Sequence, residues 1–286
     1  MKRTPKKVNG KERPIGSLST RLTSPPPFLK WAGGKRWLAN HIVELVKPLK
    51  GKYIEPFLGS GAVFFALRPT QAILSDTNFY LINTYEAIKL DPERVSRLLQ
   101  KHQLLHSKDY FYRMRSYKPR CQFRMAAQFI YLNRTCWNGL YRVNLNGKFN
   151  VPIGTKSTVT MSTDDWSTIS KLLSPVSLVC GDFESVIEKA GAGDLVFADP
   201  PYTVKHNFNG FIKYNDALFS WDDQVRLRDA LLRARKRGSN AIITNAHHQC
   251  IRDLYQDHFV LEPIARASVL ASSATHRGRY EELLIS

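Results

Sequence analysis

Short apolar runs and the spacers between them predict alternating strands and helices in the first part of the chain. Tyr53–Phe57 and Ala72–Asp76 have the length and apolar character of β-strands, and a turn at residues 58–61 with two glycines follows the first. Helical spacing of apolar residues covers Trp37–Val46, and a second predicted helix over Ala62–Leu67 separates the two strands. The order strand, turn, helix, strand indicates a βαβ unit with parallel strands.

Apolar runs of strand length return in the second half of the chain. They are Val176–Cys180, Asp194–Ala198, Ala241–Thr244 and Glu281–Ile285, the last expected as an edge strand. Between the two parts, residues 79–161 combine helical spacing with aromatic and basic residues, which indicates an insertion. We therefore predict a doubly wound α/β domain over residues 28–78 and 162–286, with a mostly helical domain inserted at residues 79–161.

The N-terminal residues 1–27 have a different composition. Lys and Arg stand among Ser, Thr, Pro and Gly, and the segment ends in three prolines, which form neither a helix interior nor a central strand. We expect a flexible basic arm. The sequence leaves open whether it is a leader without a role or an additional segment that contacts phosphates.

The overall charge of the chain indicates the kind of partner that it binds. The 286 residues include 42 Lys+Arg and 24 Asp+Glu, which gives a formal net charge of +18, while 43% hydrophobic residues suffice for a core. A basic surface binds nucleic acid because each phosphate contact releases condensed counterions. The alternative is surface charge that serves only solubility.

Cysteines and apolar stretches exclude several other classes. The four cysteines are widely spaced without a C-x-x-C pair, so neither a zinc site nor a redox dithiol is predicted. The chain begins without an apolar leader and contains no apolar run of about 18 residues, so we expect no membrane segment and an intracellular, cytoplasmic location. No obligate protein partner is indicated.

The tetrapeptide Asp199-Pro200-Pro201-Tyr202 directly follows a predicted strand, at the strand end where open α/β sheets bind ligands. The Asp199 carboxylate and the Pro200 carbonyl can accept hydrogen bonds from an exocyclic amine and direct its lone pair at an electrophile. The prolines stiffen the turn, and the Tyr202 ring offers a stacking face. The alternative is an ordinary surface turn, because Asp and Pro are common turn residues.

The first predicted turn has features of a nucleotide site. Its candidate cofactor contacts are Glu55, Phe57, Gly59 and Gly61, because glycines let the backbone approach a ligand at the start of a helix. Asp76 ends the next strand, where an acidic side chain can bind ribose hydroxyls. A glycine pair alone is equally consistent with a tight turn, and the third glycine of the dinucleotide motif is absent.

Two further segments have candidate roles. Trp31 and Lys35 stand beside two glycines and could cover an adenosine and hold a carboxylate, or form a helix-entry loop with a buried Trp. His247-His248 suggests metal ligands, but no partner has metal-ligand spacing, so no metal site is predicted. The basic run at residues 233–237 is expected to be a solvated helix end, with phosphate contact as the alternative.

Five motifs occur in a fixed order between Phe28 and Ile285. They are F-L-K-W-A-G-G-K at Phe28–Lys35, E-P-F-L-G-S-G-A-V-F at Glu55–Phe64, S-D-T-N-F-Y-L-I-N-T-Y at Ser75–Tyr85, N-G-L-Y-R-V-N-L-N-G-K-F-N-V-P-I-G at Asn138–Gly154, and D-P-P-Y. With them the chain resembles the Dam-type family, the D12 class of adenine-N6 DNA methyltransferases. The resemblance implies transfer of a methyl group from S-adenosyl-L-methionine to a flipped-out adenine in double-stranded DNA.

The resemblance also implies roles for individual residues. Trp31, Lys35, Asp76 and Asp199 match the family's contacts with S-adenosyl-L-methionine, and residues 79–161 match its target-recognition domain. The residues at the positions where such enzymes contact DNA are Trp137, Leu140, Arg142 and Pro152. An aromatic residue there suits the gap left by a flipped base, and an Arg can bind a guanine edge through two hydrogen bonds.

The sequence departs from the pattern at Thr155 and Lys156, where Dam enzymes that act on GATC have a basic and an aromatic residue. GATC is the first guess for the site, and a related short sequence is the alternative. Two rival functions are a non-catalytic DNA-binding protein and an enzyme that methylates RNA or a protein amide. Retention of Asp199 and of the cofactor positions disfavours the first, and Asp199 disfavours the amide-directed enzyme, which usually has N-P-P-Y. A restriction-modification, phage or housekeeping role stays open.

Overall fold

A seven-stranded sheet with the order β3-β2-β1-β4-β5-β7-β6 forms the centre of the molecule. The computed structural model describes residues 25–46, 48–144, 149–204, 219–266 and 280–286, so all but the last three residues of the predicted basic arm lie outside the described residues. The strands are β1 (Tyr53–Glu55), β2 (Ala72–Asp76), β3 (Val176–Cys180), β4 (Leu195–Ala198), β5 (Asn240–Ala246), β6 (Leu261–Arg266) and β7 (Tyr280–Ile285).

Strands β1 to β5 are parallel, and the strand order reverses direction at β1. Ile54 of β1 pairs with Ile73 of β2 on one side and with Val196 of β4 on the other. In open sheets of this kind the connections diverge at the reversal and leave a crevice at the carboxyl ends of the two strands. The predicted α/β fold with a mostly parallel sheet is thus confirmed, and the crevice falls beside Glu55 and Asp199.

The prediction that Glu281–Ile285 is an edge strand was wrong. That segment lies in β7, which pairs antiparallel with β5 and also antiparallel with β6, so β6 forms the edge. Strand β6 contains Pro263, which lacks an N–H and is tolerated where one side of the strand has no ladder partner. The same proline weakens the strand signal in the sequence, so β6 was not predicted.

Ten α-helices occur in the described residues. They are α1 (Ala39–Val46), α2 (Ala62–Leu67), α3 (Phe79–Leu90), α4 (Pro92–Leu105), α5 (Lys108–Ser116), α6 (Gln122–Thr135), α7 (Trp166–Leu173), α8 (Phe183–Ile187), α9 (Trp221–Lys236) and α10 (Gln249–Tyr255), and a short 3-10 turn covers Trp137–Gly139. None of them is long and apolar enough to cross a membrane. Helices α3 to α6 stand between β2 and β3 in the chain, where the sequence predicts mostly helical structure.

Successive side chains along each strand point to opposite faces of the sheet, so a core forms on each side. Tyr53, Leu195 and Phe197 pack into the core that also contains α3 to α7, whereas Ile54 and Val196 pack into the core under α8, α9 and α10. Helix α6 lies deep in the first core, with eleven of its fourteen residues buried. The helices that follow β2 therefore share their apolar core with the sheet.

Arg134 connects α6 to the N-terminal segment. Its guanidinium donates to both carboxylate oxygens of Asp164 at 2.7 Å and to the carbonyl of Phe28 at 3.1 Å. The side chains of Arg134 and Asp164 are 1% and 8% exposed. Because a buried guanidinium without its counter-ion is costly, the pair makes the position of Phe28 depend on α6.

Replacing Asp164 with Ala is expected to lower the free energy of unfolding by about 3–5 kcal/mol, because it leaves the Arg134 charge buried and uncompensated. Urea denaturation measures this loss, and the double variant with Arg134→Met should recover part of it. The control is Glu93→Ala, which removes the partner of Arg97 in a pair whose side chains are 85% and 63% exposed and should cost less than about 1 kcal/mol. Equal losses for both single variants would contradict the prediction.

Candidate active site

Asp199 is the first residue after β4, and two donors fix one of its carboxylate oxygens. Oδ1 accepts a hydrogen bond from the Thr244 hydroxyl at 2.7 Å and lies 2.8 Å from Lys35 Nζ. Thr244 belongs to β5, the parallel neighbour of β4, so sheet pairing places it beside the carboxylate. Both donors thus contact the same oxygen, Oδ1.

Lys35 lies between two carboxylates and an aromatic ring. Its ammonium is 2.8 Å from Asp199 Oδ1, 3.5 Å from Glu282 Oε2 and 4.9 Å from the centroid of the Tyr202 ring, and it donates to the Gly33 carbonyl at 2.8 Å. The side chain is only 3% exposed. A lysine this deeply buried requires compensating charge, which these groups provide.

Tyr202 is held by its hydroxyl. The O–H donates to Glu282 Oε2 at 2.8 Å, and burial, followed by the charges of Asp199 and Glu282, raises its pKa well above the ordinary value. The hydroxyl therefore keeps its proton at neutral pH and stays a donor. One edge of the ring is anchored in this way.

The turn formed by the two prolines is supported from α9 and β5. The Pro201 carbonyl accepts from Gln224 Nε2 at 3.3 Å, and Gln224 Oε1 accepts from Asn245 Nδ2 at 3.0 Å. Gln224 and Asn245 are fully buried. Buried amides with satisfied hydrogen bonds hold one geometry, so the turn that carries Asp199 and Tyr202 is preorganised.

Asp76 organises the glycine turn. Its carboxylate accepts from the backbone N–H of Gly59 at 3.1 Å and of Asn78 at 2.9 Å. Burial raises its pKa, and these backbone donors oppose the shift. Gly59 and Gly61 have φ angles of 47° and 63°, which residues with a Cβ adopt only with strain. The sequence analysis assigned the glycine turn and Asp76 to one site, and in the structure a hydrogen bond joins them.

Glu55 lies at the base of the crevice. It is 3% exposed and accepts a hydrogen bond from the Tyr53 hydroxyl at 2.9 Å. Burial, reinforced by the charges of Asp199 and Asp76, raises the pKa of this carboxyl well above its usual range, whereas the bond from Tyr53 lowers it. Three carboxyl groups thus converge on the ends of β1, β2 and β4.

Aromatic side chains border the glycine turn on two sides. The Trp31 ring stacks on Tyr141 with centroids 6.0 Å apart, and a Cβ on Gly59 would come within 2.7 Å of Trp31 Cδ1. On the other side Phe57 packs on Phe183 and Phe219 with centroids 5.4 and 5.5 Å apart. Of the predicted contacts, Trp31 therefore lies against Gly59, and Phe57 packs on two phenylalanines that were not predicted.

The four predicted DNA contacts lie in one loop region, which the structure describes except for residues 145–148. The backbone N–H of Trp137 donates to the Pro152 carbonyl at 2.9 Å, so these two residues are adjacent. Trp137 is 54% exposed, Leu140 is half-buried, and Arg142 and Pro152 are exposed. Arg142 donates from Nε to Asn150 Oδ1 at 3.2 Å, which leaves the rest of its guanidinium facing outward.

Lys30 and Lys156 form an unpredicted pair beside this loop. Burial, followed by interaction with the nearby Lys156, lowers the pKa of Lys30. Asn133 of α6 fixes Lys30, because its amide accepts from the Lys30 N–H and donates to the Lys30 carbonyl, both at 2.9 Å. Two adjacent cations favour a ligand with exposed acceptor oxygens.

Basic side chains at the end of α9 form ion pairs with glutamates of the same protein. Arg233 donates to Glu184 and Glu188 at 2.6 Å, and Arg237 donates to Glu188 at 2.8 Å. This agrees with the predicted solvated helix end. The described residues contain no group of three or more His, Cys, Asp or Glu side chains that could hold a metal ion, so His247 and His248 are not part of one.

Glu282, Thr244 and Gln224 are site residues that sequence reasoning missed. Because β7 runs antiparallel to β5, its first residues lie at the carboxyl end of β5, where Glu282 is paired with Ala246. The sequence does show two glutamates at the start of the apolar run that forms β7. It does not show whether that strand runs parallel or antiparallel to β5.

Comparison with known proteins now defines the class of this site. Residues 31–269 match the family MethyltransfD12, described as D12 class N6 adenine-specific DNA methyltransferase. The chain is 35% identical over 269 residues to the Type II methyltransferase M1.LlaDCHI of Lactococcus lactis subsp. cremoris, which covers 91% of this chain and 94% of that protein. It is 36% identical to the Type II methyltransferase M.MjaIII of Methanocaldococcus jannaschii, over 91% and 98% of the two chains.

A third relative is the DNA adenine methylase of Serratia marcescens, 34% identical over 90% of this chain and 96% of that protein. Each of these matches spans nearly the whole of both proteins. The chain belongs to the D12 class of N6 adenine-specific DNA methyltransferases, and the enzymatic function expected from its motifs is confirmed.

Proposed function

We propose that S-adenosyl-L-methionine is the methyl donor and binds at the carboxyl ends of β1 and β2. This cofactor supplies an electrophilic methyl group on a sulfonium, whose neutral thioether is a good leaving group. The polar lining supports the assignment: Asp76 accepts hydrogen bonds from the backbone of the glycine turn, and Glu55 lies buried at the end of the neighbouring strand.

The glycine turn has the shape that a nucleoside requires. Gly59 and Gly61 carry no side chain, so the backbone can approach the cofactor, and Trp31 and Phe57 supply apolar faces on either side. The Asp76 carboxylate accepts backbone N–H groups of the turn and can also accept a hydrogen bond from a ribose hydroxyl. Lys35 contacts Asp199, so we assign it to orient the catalytic carboxylate at the edge of the cofactor site.

The single observation that carries the catalytic proposal is the asymmetry of the Asp199 carboxylate. Lys35 and Thr244 both contact Oδ1. These two contacts fix the orientation of the carboxylate and therefore the position of Oδ2. Oδ2 and the Pro200 carbonyl accept the two hydrogens of the adenine amine, and the nitrogen lone pair then points at the methyl group. No proton needs to leave before the transfer, because positioning supplies the rate, and one amine proton passes to Asp199 Oδ2 once the nitrogen is methylated.

The target adenine must leave the duplex, because its amine is inaccessible while stacked. We propose that the base packs on the Tyr202 ring and that residues 79–161 form the target-recognition domain. The exposed Trp137 fills the gap in the duplex, and Leu140, Arg142 and Pro152 contact the neighbouring bases and backbone. The enzyme would act wherever the cell's own or incoming DNA is accessible, which favours the cytoplasm.

Transfer of a labelled methyl group tests the proposal. The purified protein is incubated with methyl-labelled S-adenosyl-L-methionine and, separately, with duplex DNA, structured RNA and a protein mixture. We expect the label in N6-methyldeoxyadenosine after digestion of the duplex to nucleosides. Label in RNA or protein alone would contradict the substrate assignment, and labelled cytosine would contradict the position of transfer.

Lys156 is, with Thr155, one of the two residues at which this chain departs from the Dam pattern, and it interacts with Lys30. We propose that the two ammonium groups bind the O6 and N7 acceptors of one guanine. Lys156→Ala is then expected to reduce discrimination at one base pair by about 10–100-fold, the effect of losing about 1–3 kcal/mol. Methylation rates on duplexes that differ at single positions measure it.

The matched control is Lys171→Ala, which removes an exposed lysine on α7 and should leave the site preference unchanged. A phosphate contact has a different signature. If Lys156→Ala weakens methylation equally on every duplex and lowers its salt dependence, Lys156 contacts the backbone and the base-contact proposal is wrong.

A further inference from the structure

Glu282 lies on β7, outside the five sequence motifs, and contacts the active site. Oε2 accepts the hydroxyl proton of Tyr202 at 2.8 Å and lies 3.5 Å from Lys35 Nζ. The side chain is 13% exposed. A single carboxylate oxygen therefore contacts both the Tyr202 hydroxyl and the cation that contacts Asp199.

The position of Glu282 follows from the sheet. Glu282 is paired with Ala246, two residues beyond Thr244 on β5, and Thr244 donates to Asp199. The tetrapeptide is thus held from both strands on that side, by Thr244 at the carboxylate and by Glu282 at the tyrosine hydroxyl. A strand is a rigid support, so both contacts are fixed before substrate binds.

We propose that Glu282 is a positioning residue for methyl transfer: it fixes the Tyr202 ring for base stacking and keeps Lys35 on Asp199. The inference rests on the proposed role of Asp199 and Tyr202. Without the carboxylate the tyrosine hydroxyl loses this acceptor, and the ring is held less firmly in the stacking position. Lys35 loses one of its two counter-ions, so its contact with Asp199 changes as well.

The hydrogen bond and the charge can be separated by substitution. Glu282→Gln keeps an oxygen acceptor for the Tyr202 hydroxyl and removes the charge, whereas Glu282→Ala removes both. Tyr202→Phe removes only the hydroxyl. If the bond to Tyr202 carries the effect, Gln rescues much of the activity that Ala loses, and Ala adds little in the Tyr202→Phe background because the two residues act as a unit.

The test measures kcat, the KM for duplex DNA and the Kd for S-adenosyl-L-methionine in these variants. We expect Glu282→Ala to lower kcat by about tenfold or more, with KM and Kd changed by less than about threefold, and Glu282→Gln to stay within about fivefold of wild-type kcat. With 2-aminopurine at the target position, stacking on Tyr202 quenches fluorescence, and Glu282→Ala should show less quenching than Glu282→Gln.

The control is Glu262→Gln, an exposed carboxylate on β6, which should change none of these values. A kcat for Glu282→Ala within twofold of wild type would overturn the proposal, as would an equally large loss in the Tyr202→Phe background. A loss confined to thermal stability would also overturn it. Failure of the underlying function is distinguishable, because wild-type protein would then leave the duplex unmethylated.

Discussion

Replacing Asp199 with Ala is expected to reduce kcat for methyl transfer on the order of 10²–10³-fold, because the variant loses the acceptor that orients the adenine amine. Cofactor binding should persist, since the glycine turn and Asp76 are untouched. Steady-state methylation with labelled cofactor measures kcat, and calorimetry measures the Kd for S-adenosyl-L-methionine.

Two companion variants make the result specific. Asp257→Ala removes an exposed carboxylate far along the chain and should leave kcat unchanged. Thr244→Val removes one of the two donors on Asp199 Oδ1 and should give an intermediate loss, of about tenfold. If Asp199→Ala retains wild-type kcat while folded, the carboxylate does not orient the amine and the mechanism fails.

Gly59→Ala is expected to weaken binding of S-adenosyl-L-methionine by about tenfold or more, which corresponds to about 1.4 kcal/mol. The φ angle of 47° disfavours any residue with a Cβ, and the added carbon would lie 2.7 Å from Trp31 Cδ1 and 3.0 Å from its Nε1. Either the turn or the tryptophan must move, and both border the proposed cofactor site. Titration with calorimetric detection measures the Kd.

Gly191→Ala is the matched control for this prediction. Gly191 has no atom within 4 Å of an added Cβ and no positive φ angle, so its substitution should leave the Kd unchanged. Wild-type affinity in Gly59→Ala would show that the turn does not approach the cofactor, and the cofactor would have to bind elsewhere on the sheet.

Most of the sheet was predictable because its central strands are short, apolar and separated by helices. The predicted bounds of Ala72–Asp76 and Val176–Cys180 coincide with β2 and β3. The far side of the sheet was not predictable to the same degree. Pro263 obscures β6, and the antiparallel direction of β7 depends on pairing between residues far apart in the sequence, which a local pattern does not contain.

The active-site residues likewise divide into those that the sequence shows and those that only the fold shows. Asp199 directly follows β4 and Gly59 lies in the turn after β1, and their chemistry was evident from neighbouring residues alone. Thr244, Glu282 and Gln224 act through bonds to residues 45, 80 and 23 positions away, so only the folded chain shows them. Lys35 illustrates the limit, because its motif indicated a cofactor contact while its contact with Asp199 needed the fold.

The most direct test of the central claim maps N6-methyladenine in the DNA of a bacterial host without adenine methylation that expresses this chain. Single-molecule sequencing of that DNA should find methylated adenine confined to one short sequence, and the mark should disappear with Asp199→Ala. The absence of methylated adenine from a host that contains folded protein able to bind S-adenosyl-L-methionine would contradict the account.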